Sequence, residues 1–193
     1  MRNKEYNKKR DFSKTKEPRG NSRKKDTNSQ IFVIQKHDAT NLHYDFRLEI
    51  DNVLKSWSVP KGPSTDPSIK RMAIPTEDHP LEYANFEGTI PKGQYGGGTV
   101  MIWDKGTYKG LTEEGQNVSD SYKKGVLEFY LQGKKLQGGY SLIRMNSGNM
   151  KGNWLLIKKD DEKADARRNP VSTQNKSVTS NRTLKEIAKE EAK

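Results

Sequence analysis

From Leu42 to Asp51 apolar and polar residues alternate without a break. Leu42, Tyr44, Phe46, Leu48 and Ile50 fall on one side, and His43, Asp45, Arg47, Glu49 and Asp51 on the other. A period of two marks a half-buried strand. Short β-branched or aromatic runs bounded by Gly, Pro, Asn or Asp recur at 31–35, 54–59, 71–74, 99–103, 126–131, 140–145 and 154–158. Eight strands result, with too little chain between them for crossover helices, so the sheet is expected to be mostly antiparallel. Strands of this number and spacing form a sandwich or a closed barrel, and we favour an all-β barrel of about eight strands. No internal repeat is visible.

Charge divides the chain into three parts. The whole carries 36 Lys and Arg against 25 Asp and Glu, a formal +11. Residues 1–29 hold 11 basic and 4 acidic groups, with Met1, Tyr6 and Phe12 their only large apolar side chains, and read as a largely flexible basic arm. Residues 30–159 hold nearly all the aromatic and β-branched residues and form the folded domain. Residues 160–193 read as a polar linker and tail ending in a short helix, with Thr183 capping against Glu186. The chain has no cysteine, which excludes a disulfide framework and thiolate metal sites. No stretch approaches the roughly 18 apolar residues of a membrane span, and a reducing, cytoplasmic setting is expected. A basic arm of this kind raises local polyanion concentration and makes binding salt-dependent.

The polar side of the 42–51 strand sets an imidazole, a carboxylate and a guanidinium about 7 Å apart. Such a row is also what an ordinary solvent-facing strand shows. His37 changes the picture, because residues 38–41 are turn formers that can fold it back toward His43. Two imidazoles and one carboxylate can hold a divalent first-row metal with open positions. The third histidine, His79, precedes Pro80 and is expected on a loop, with Glu77, Asp78 and Glu82 near enough to orient it or raise its pKa. Read in isolation, it is more readily a lone surface histidine. The Pro-rich stretch 59–71 can hold Lys61 and Arg71 toward a polyanion, or merely make solvated turns. The glycine-rich run 88–98 lacks the Gly-Lys-Ser/Thr ending of a phosphate loop and reads mainly as turns.

Several long motifs resemble the 3′-phosphoesterase module of bacterial DNA ligase D and its stand-alone bacterial and archaeal relatives. They are His37-Asp-Ala-Thr-Asn-Leu-His-Tyr-Asp-Phe-Arg-Leu-Glu49, Leu54-Lys-Ser-Trp-Ser-Val-Pro-Lys-Gly-Pro-Ser64, Glu77-Asp-His-Pro-Leu-Glu-Tyr83, Phe86-Glu-Gly-Thr-Ile-Pro91 and Trp103-Asp-Lys-Gly-Thr-Tyr108, in family order. Residues 9–18 are similar to the family's N-terminal signature, and 182–188 to the segment leading toward the ligase. The resemblance implies an eight-stranded barrel with an apolar interior and an active site on its outer surface. It also implies manganese-dependent healing of DNA 3′ ends, in which a terminal ribonucleoside is removed and the remaining 3′-phosphate is hydrolysed to a hydroxyl.

By motif position, His37, His43 and Asp45 look like the metal ligands, and Arg47, His79 and Tyr83 like the groups that hold the scissile phosphate. Gln35, Lys61, Arg71 and Glu77 resemble supporting residues, and Arg10, Asp11 and Glu17 match the N-terminal signature. Gln94, Gly97 and Asn52 depart from the usual pattern without removing a proposed ligand. The expected partners are DNA 3′ ends and separate end-joining ligase or polymerase proteins. Two other readings stand beside this one. A non-catalytic basic barrel that binds nucleic acid explains the charge but not the histidines. A barrel metalloenzyme acting on a small molecule, as iron(II) oxygenases do, leaves the basic arm unexplained.

Overall fold

The computed structural model describes residues 3–20, 30–112 and 117–191. The alternating run forms strand β2 (Leu42–Ile50), joined to β3 (Val53–Val59) by a two-residue turn in which Asp51 and Asn52 both take left-handed φ values, 54° and 60°. That geometry matches the twist of a tight hairpin, and Asn and Asp tolerate it best after glycine. Asp51 therefore belongs to the turn. Leu42, expected on the core face, lies at the strand's start and is exposed.

The remaining strands are β1 (Gln30–Asp38), β4 (Lys70–His79), β5 (Gly88–Ile90), β6 (Gly98–Gly110), β7 (Val126–Gly133), β8 (Gln137–Arg144) and β9 (Trp154–Lys158). They pair antiparallel in the order β1-β2-β3-β4-β9-β8-β7-β6, and β6 pairs back onto β1. This closes an eight-stranded barrel. The short β5 adds to β6 from within the run read as turns, where Gly88 to Ile90 pair with Val100 to Gly98. Strands β1, β4 and β6 run past their apolar runs, since ladder pairing carries polar residues such as Asp38, Thr76 and Lys109 along. His79 consequently ends a strand instead of sitting on a loop. Helix α2 (Val118–Lys124), which the hydrophobic pattern does not reveal, starts where the Asn117 side chain accepts from the Asp120 amide and stops at Gly125 in the left-handed region.

Alternation sorts the side chains into two cores. The interior is filled by Phe32, Phe46, Trp57, Trp103, Phe129 and Tyr140 with their aliphatic neighbours, so a small barrel of this size has no room inside for a ligand. A second cluster lies outside the wall, where Val33, Leu54, Val100 and Ile102 meet Tyr6, Leu81, Tyr83 and Phe86. This second cluster corrects the expected flexible arm. Helix α1 (Lys4–Lys8) inserts Tyr6, fully buried, and its hydroxyl donates to the Pro18 carbonyl at 2.8 Å. One aromatic suffices because the barrel wall supplies the rest of the apolar surface. Residues 1–2 and 21–29 of the expected arm lie outside the described residues.

The C-terminal part is likewise fastened to the barrel. In the polar stretch, α3 (Pro170–Thr173) packs Val171 against the interior cluster, and α4 (Leu184–Glu191) buries Ile187 completely. The capping box holds: the Thr183 amide donates to Glu186 at 2.7 Å and the Glu186 amide to Thr183 Oγ1 at 3.3 Å. No helix among the described residues is long and apolar enough to cross a membrane.

A buried carboxylate shapes the β7–β8 turn. Asp104, fully buried, accepts from the backbone amides of Lys134, Lys135 and Leu136 at 2.8 to 3.0 Å. A side chain on Gly133 would meet Asp104 Oδ2 at 2.4 Å. Replacing Asp104 with alanine strands three amides, so unfolding in urea should show a loss of about 3 kcal/mol. Asp104→Asn keeps an acceptor and should lose less; a loss below about 0.5 kcal/mol in Asp104→Ala would contradict this role.

Candidate metal and phosphate site

Strand register assembles the polar row. Across β1 and β2, His37 stands opposite His43 and Gln35 opposite Asp45, and across β2 and β3, Arg47 stands opposite Ser56. Gln35, Asp45, Arg47 and Ser56 point outward, since Ile34, Tyr44, Phe46, Leu48 and Trp57 beside them fill the interior, and His37 and His43 lie on the same face two residues along. Between β3 and β4 the ladder slips: Leu54 to Ser56 is a two-residue step, while His79 to Thr76 is a three-residue step. The extra residue on β4 is a bulge, which turns Glu77 and His79 toward the same outer patch. A cavity of about 250 Å³ there is lined by His37, His43, Asp45, Arg47, His79 and Tyr83, among others.

His37, His43 and Asp45 each present one donor atom, all within 4.8 Å of one another. His43 Nδ1 donates to the Asn41 carbonyl at 2.8 Å, which leaves its Nε2 lone pair facing Asp45. His37 Nε2 is buried without a hydrogen-bond partner, and Nδ1 lies 3.4 Å from Asp45 Oδ2. Burial by itself would raise the Asp45 carboxyl pKa. The Arg47 guanidinium at 3.2 Å, the His37 hydrogen bond and the two imidazoles overcome it and hold the group well below the usual carboxylate range.

Arg47 organises the other half of the site. Its Nε donates to Gln35 Oε1 at 2.8 Å and its Nη1 to Ser56 Oγ at 2.9 Å, while the guanidinium sits 4.9 Å from the Tyr83 ring centre. Gln35 is in turn fixed by donating to the carbonyls of Tyr83 and Phe86. His79 is wedged between two guanidiniums, with Nδ1 2.9 Å from Arg47 Nη1 and Nε2 3.3 Å from Arg10 Nη2. Burial, then the charges of Arg47 and Arg10, push its pKa well below 6.5. This corrects the expectation of a raised value: the carboxylate of Glu77 is spent on Arg10 and Lys9, and only its backbone carbonyl accepts from His79 Nδ1, at 2.9 Å. The imidazole is neutral at pH 7. Tyr83, buried, has its phenol pushed well above 10 and stays protonated.

The N-terminal segment completes the patch. Arg10 stacks 3.7 Å from the Tyr6 ring centre and bonds to Glu17 at 2.8 Å and Glu77 at 3.1 Å. Asp11 points elsewhere, toward Ser13 and Lys14. Lys61 is exposed past the end of β3, and Arg71 stands opposite Leu156 on β9; neither lines the cavity. Gln94 lines a neighbouring cavity along the glycine-rich run and not the one that holds His37, His43 and Asp45. Residues that sequence reasoning missed are Ser56, Lys9, Tyr6 and Tyr95. Tyr95 lines the cavity and donates to Glu77 at 3.2 Å. The available signal for Tyr95 was an aromatic isolated among glycines; for Tyr6 there was none, because its pocket is made by residues far along the chain.

The chain is similar to known proteins along most of its length. The family model described as the DNA Ligase D 3′-phosphoesterase domain matches residues 35–144. Over 183 residues, 93% of the chain, the sequence is 47% identical to the multifunctional non-homologous end joining protein LigD of Pseudomonas aeruginosa. Over 157 residues, 81% of the chain, it is 45% identical to the multifunctional non-homologous end joining DNA repair protein LigD of Mycobacterium tuberculosis. The aligned part is 21% and 20% of those proteins, so the chain spans about a fifth of the length of the curated relatives it matches.

Arg10→Ala should raise the His79 pKa, since losing a flanking cation and admitting water both favour the protonated ring. An NMR titration of the imidazole measures it, and an unchanged or lower value would refute the wedge between two guanidiniums.

Proposed function

The chain belongs to the DNA ligase D 3′-phosphoesterase domain family, and on that footing we propose that it is a metal-dependent hydrolase of phosphate esters at DNA 3′ ends. The observation that carries the reading is the adjacency of a His37, His43, Asp45 donor set to Arg47, Arg10 and His79 on one outer patch of the barrel. The donor set fits a divalent first-row ion. His37 offers a buried nitrogen that no protein group satisfies, His43 is fixed in the tautomer that frees Nε2, and Asp45 is ionised. Manganese held there supplies Lewis-acid polarisation of a phosphate oxygen and lowers the pKa of bound water.

The protein's own groups position the ester. Arg47 and Arg10 present hydrogen-bond donors to the non-bridging oxygens and offset the negative charge that develops on them. Tyr83, protonated throughout, is a further donor. The water oxygen bonds to phosphorus, the bond from phosphorus to the terminal sugar oxygen breaks, and that oxygen takes up a proton. A phosphate between the two guanidiniums offsets the charges that depress His79, so its imidazole gains basicity as substrate binds and can carry the proton to the leaving oxygen. With a 3′-terminal ribonucleoside the product is a 3′-phosphate; a second hydrolysis releases inorganic phosphate and leaves a 3′-hydroxyl. The relatives are named for non-homologous end joining, which supports a role for this reaction in that repair, upstream of a ligase or polymerase that consumes the 3′-hydroxyl.

A 5′-labelled primer-template ending in one ribonucleotide should shorten to a 3′-phosphate and then a 3′-hydroxyl with manganese, and remain intact with EDTA or in His43→Ala. Binding without shortening in manganese, magnesium, cobalt or zinc would instead favour a non-catalytic module. In Arg47→Lys, kcat/KM should fall by about 10²-fold while manganese affinity stays within a few-fold. Equal loss of both would remove Arg47 from the phosphate-holding role.

A further inference from the structure

Two large apolar side chains at the rim of the site stand exposed. Tyr95 is 47% exposed on the glycine-rich loop at the Arg10 and His79 side, and Leu42 is 47% exposed beside His43 on the opposite side. The Tyr95 ring is held by its polar tip: its hydroxyl donates to Glu77 at 3.2 Å and accepts from Lys9 at 3.3 Å, and the Lys9 ammonium lies 4.7 Å from the ring centre. The loop that presents it is specified by backbone. Gly93 and Gly96 take φ values of 88° and 74°, and a side chain on Gly97 would meet the Pro91 carbonyl at 3.0 Å. Beside Tyr95 a second cavity of about 570 Å³ opens, sharing Ala39, Ile90 and Gly96 with the first and offering Thr89, Lys92 and Gln94 as polar groups.

A half-exposed aromatic held by its polar tip, next to a cavity with hydrogen-bonding groups and one step from a phosphate site, has the makings of a nucleoside subsite. Stacking on an aromatic is sequence-tolerant because every base has a π-face. We propose that Tyr95 and the adjoining glycine loop hold the terminal nucleoside that leaves when a 3′-phosphodiester is cleaved. This rests on the reaction proposed above. The side is assigned by His79: the imidazole that serves the leaving oxygen faces Arg10 through Nε2, and Arg10 lies 5.5 Å from the Tyr95 ring centre. The retained strand then runs toward Leu42, Ser58 and Pro60.

The test compares kcat/KM for a ribonucleoside-ended primer and for a 3′-phosphate-ended primer, which has no nucleoside to lose. In Tyr95→Ala the ratio of the first to the second should fall roughly tenfold, and Tyr95→Phe should restore it. An unchanged ratio, or a fall as large in Tyr95→Phe, would overturn the stack. A second readout needs no turnover: in EDTA, a primer ending in 2-aminopurine riboside should be quenched by wild type and by Tyr95→Phe but not by Tyr95→Ala. No quenching by wild type overturns the subsite. Quenching by a protein inert on both primers supports the subsite and removes the reaction assigned above.

Discussion

A guanidinium buried on the outside of a barrel is the constraint from which the site follows. Arg47 is 2% exposed, and a cation so far from water is tolerated only when its donors are used and a counter-charge is near. Asp45 is that counter-charge; Gln35 accepts from Nε and Ser56 from Nη1, and the His79 ring lies against Nη1. Asp45 shares β2 with Arg47, while Gln35, Ser56 and His79 come from β1, β3 and β4, so the register across these four strands is what assembles the site. The same ionised Asp45 stands next to two imidazoles, and in the proposed reading one carboxylate serves both the cation of the protein and the donor set for an ion.

The outer location has a packing cause. A barrel of eight strands filled by three tryptophans and their neighbours leaves no internal ligand space, so chemistry has to be built on the wall and roofed from outside. The roof is the N-terminal segment with residues 80–90. Its attachment is relayed: Glu87 accepts from the Ile102 amide, Ser180 and Arg182, Arg182 pairs with Glu190, and Lys16 reaches Glu191 at 2.5 Å. The polar ends of the chain therefore tie the roof to the barrel, which explains why segments too poor in apolar residues to fold alone are ordered here.

What could be read from sequence was local. The alternation in β2 predicted both its core face and the polar row, and the turn residues after His37 predicted that the strand folds back; the register places His37 directly opposite His43. Arg10 and Glu17 are assigned only through motif resemblance, and geometry explains why: Arg10 reaches Glu77 across 67 residues of chain. The bulge in β4, which decides where His79 points, leaves no mark in a hydrophobic pattern. The sign of the His79 shift was misjudged for a related reason, since nearby acidic residues in sequence were visible while the two cations that flank the ring in space were not.

The account depends most on His37, His43 and Asp45 acting as one ion-binding unit. Titration of manganese into the apoprotein, followed by electron paramagnetic resonance of the free ion, tests this directly. The account predicts one bound equivalent in the wild type and none of comparable affinity in Asp45→Asn. Full-affinity binding that survives Asp45→Asn, or no binding by wild type, would contradict it.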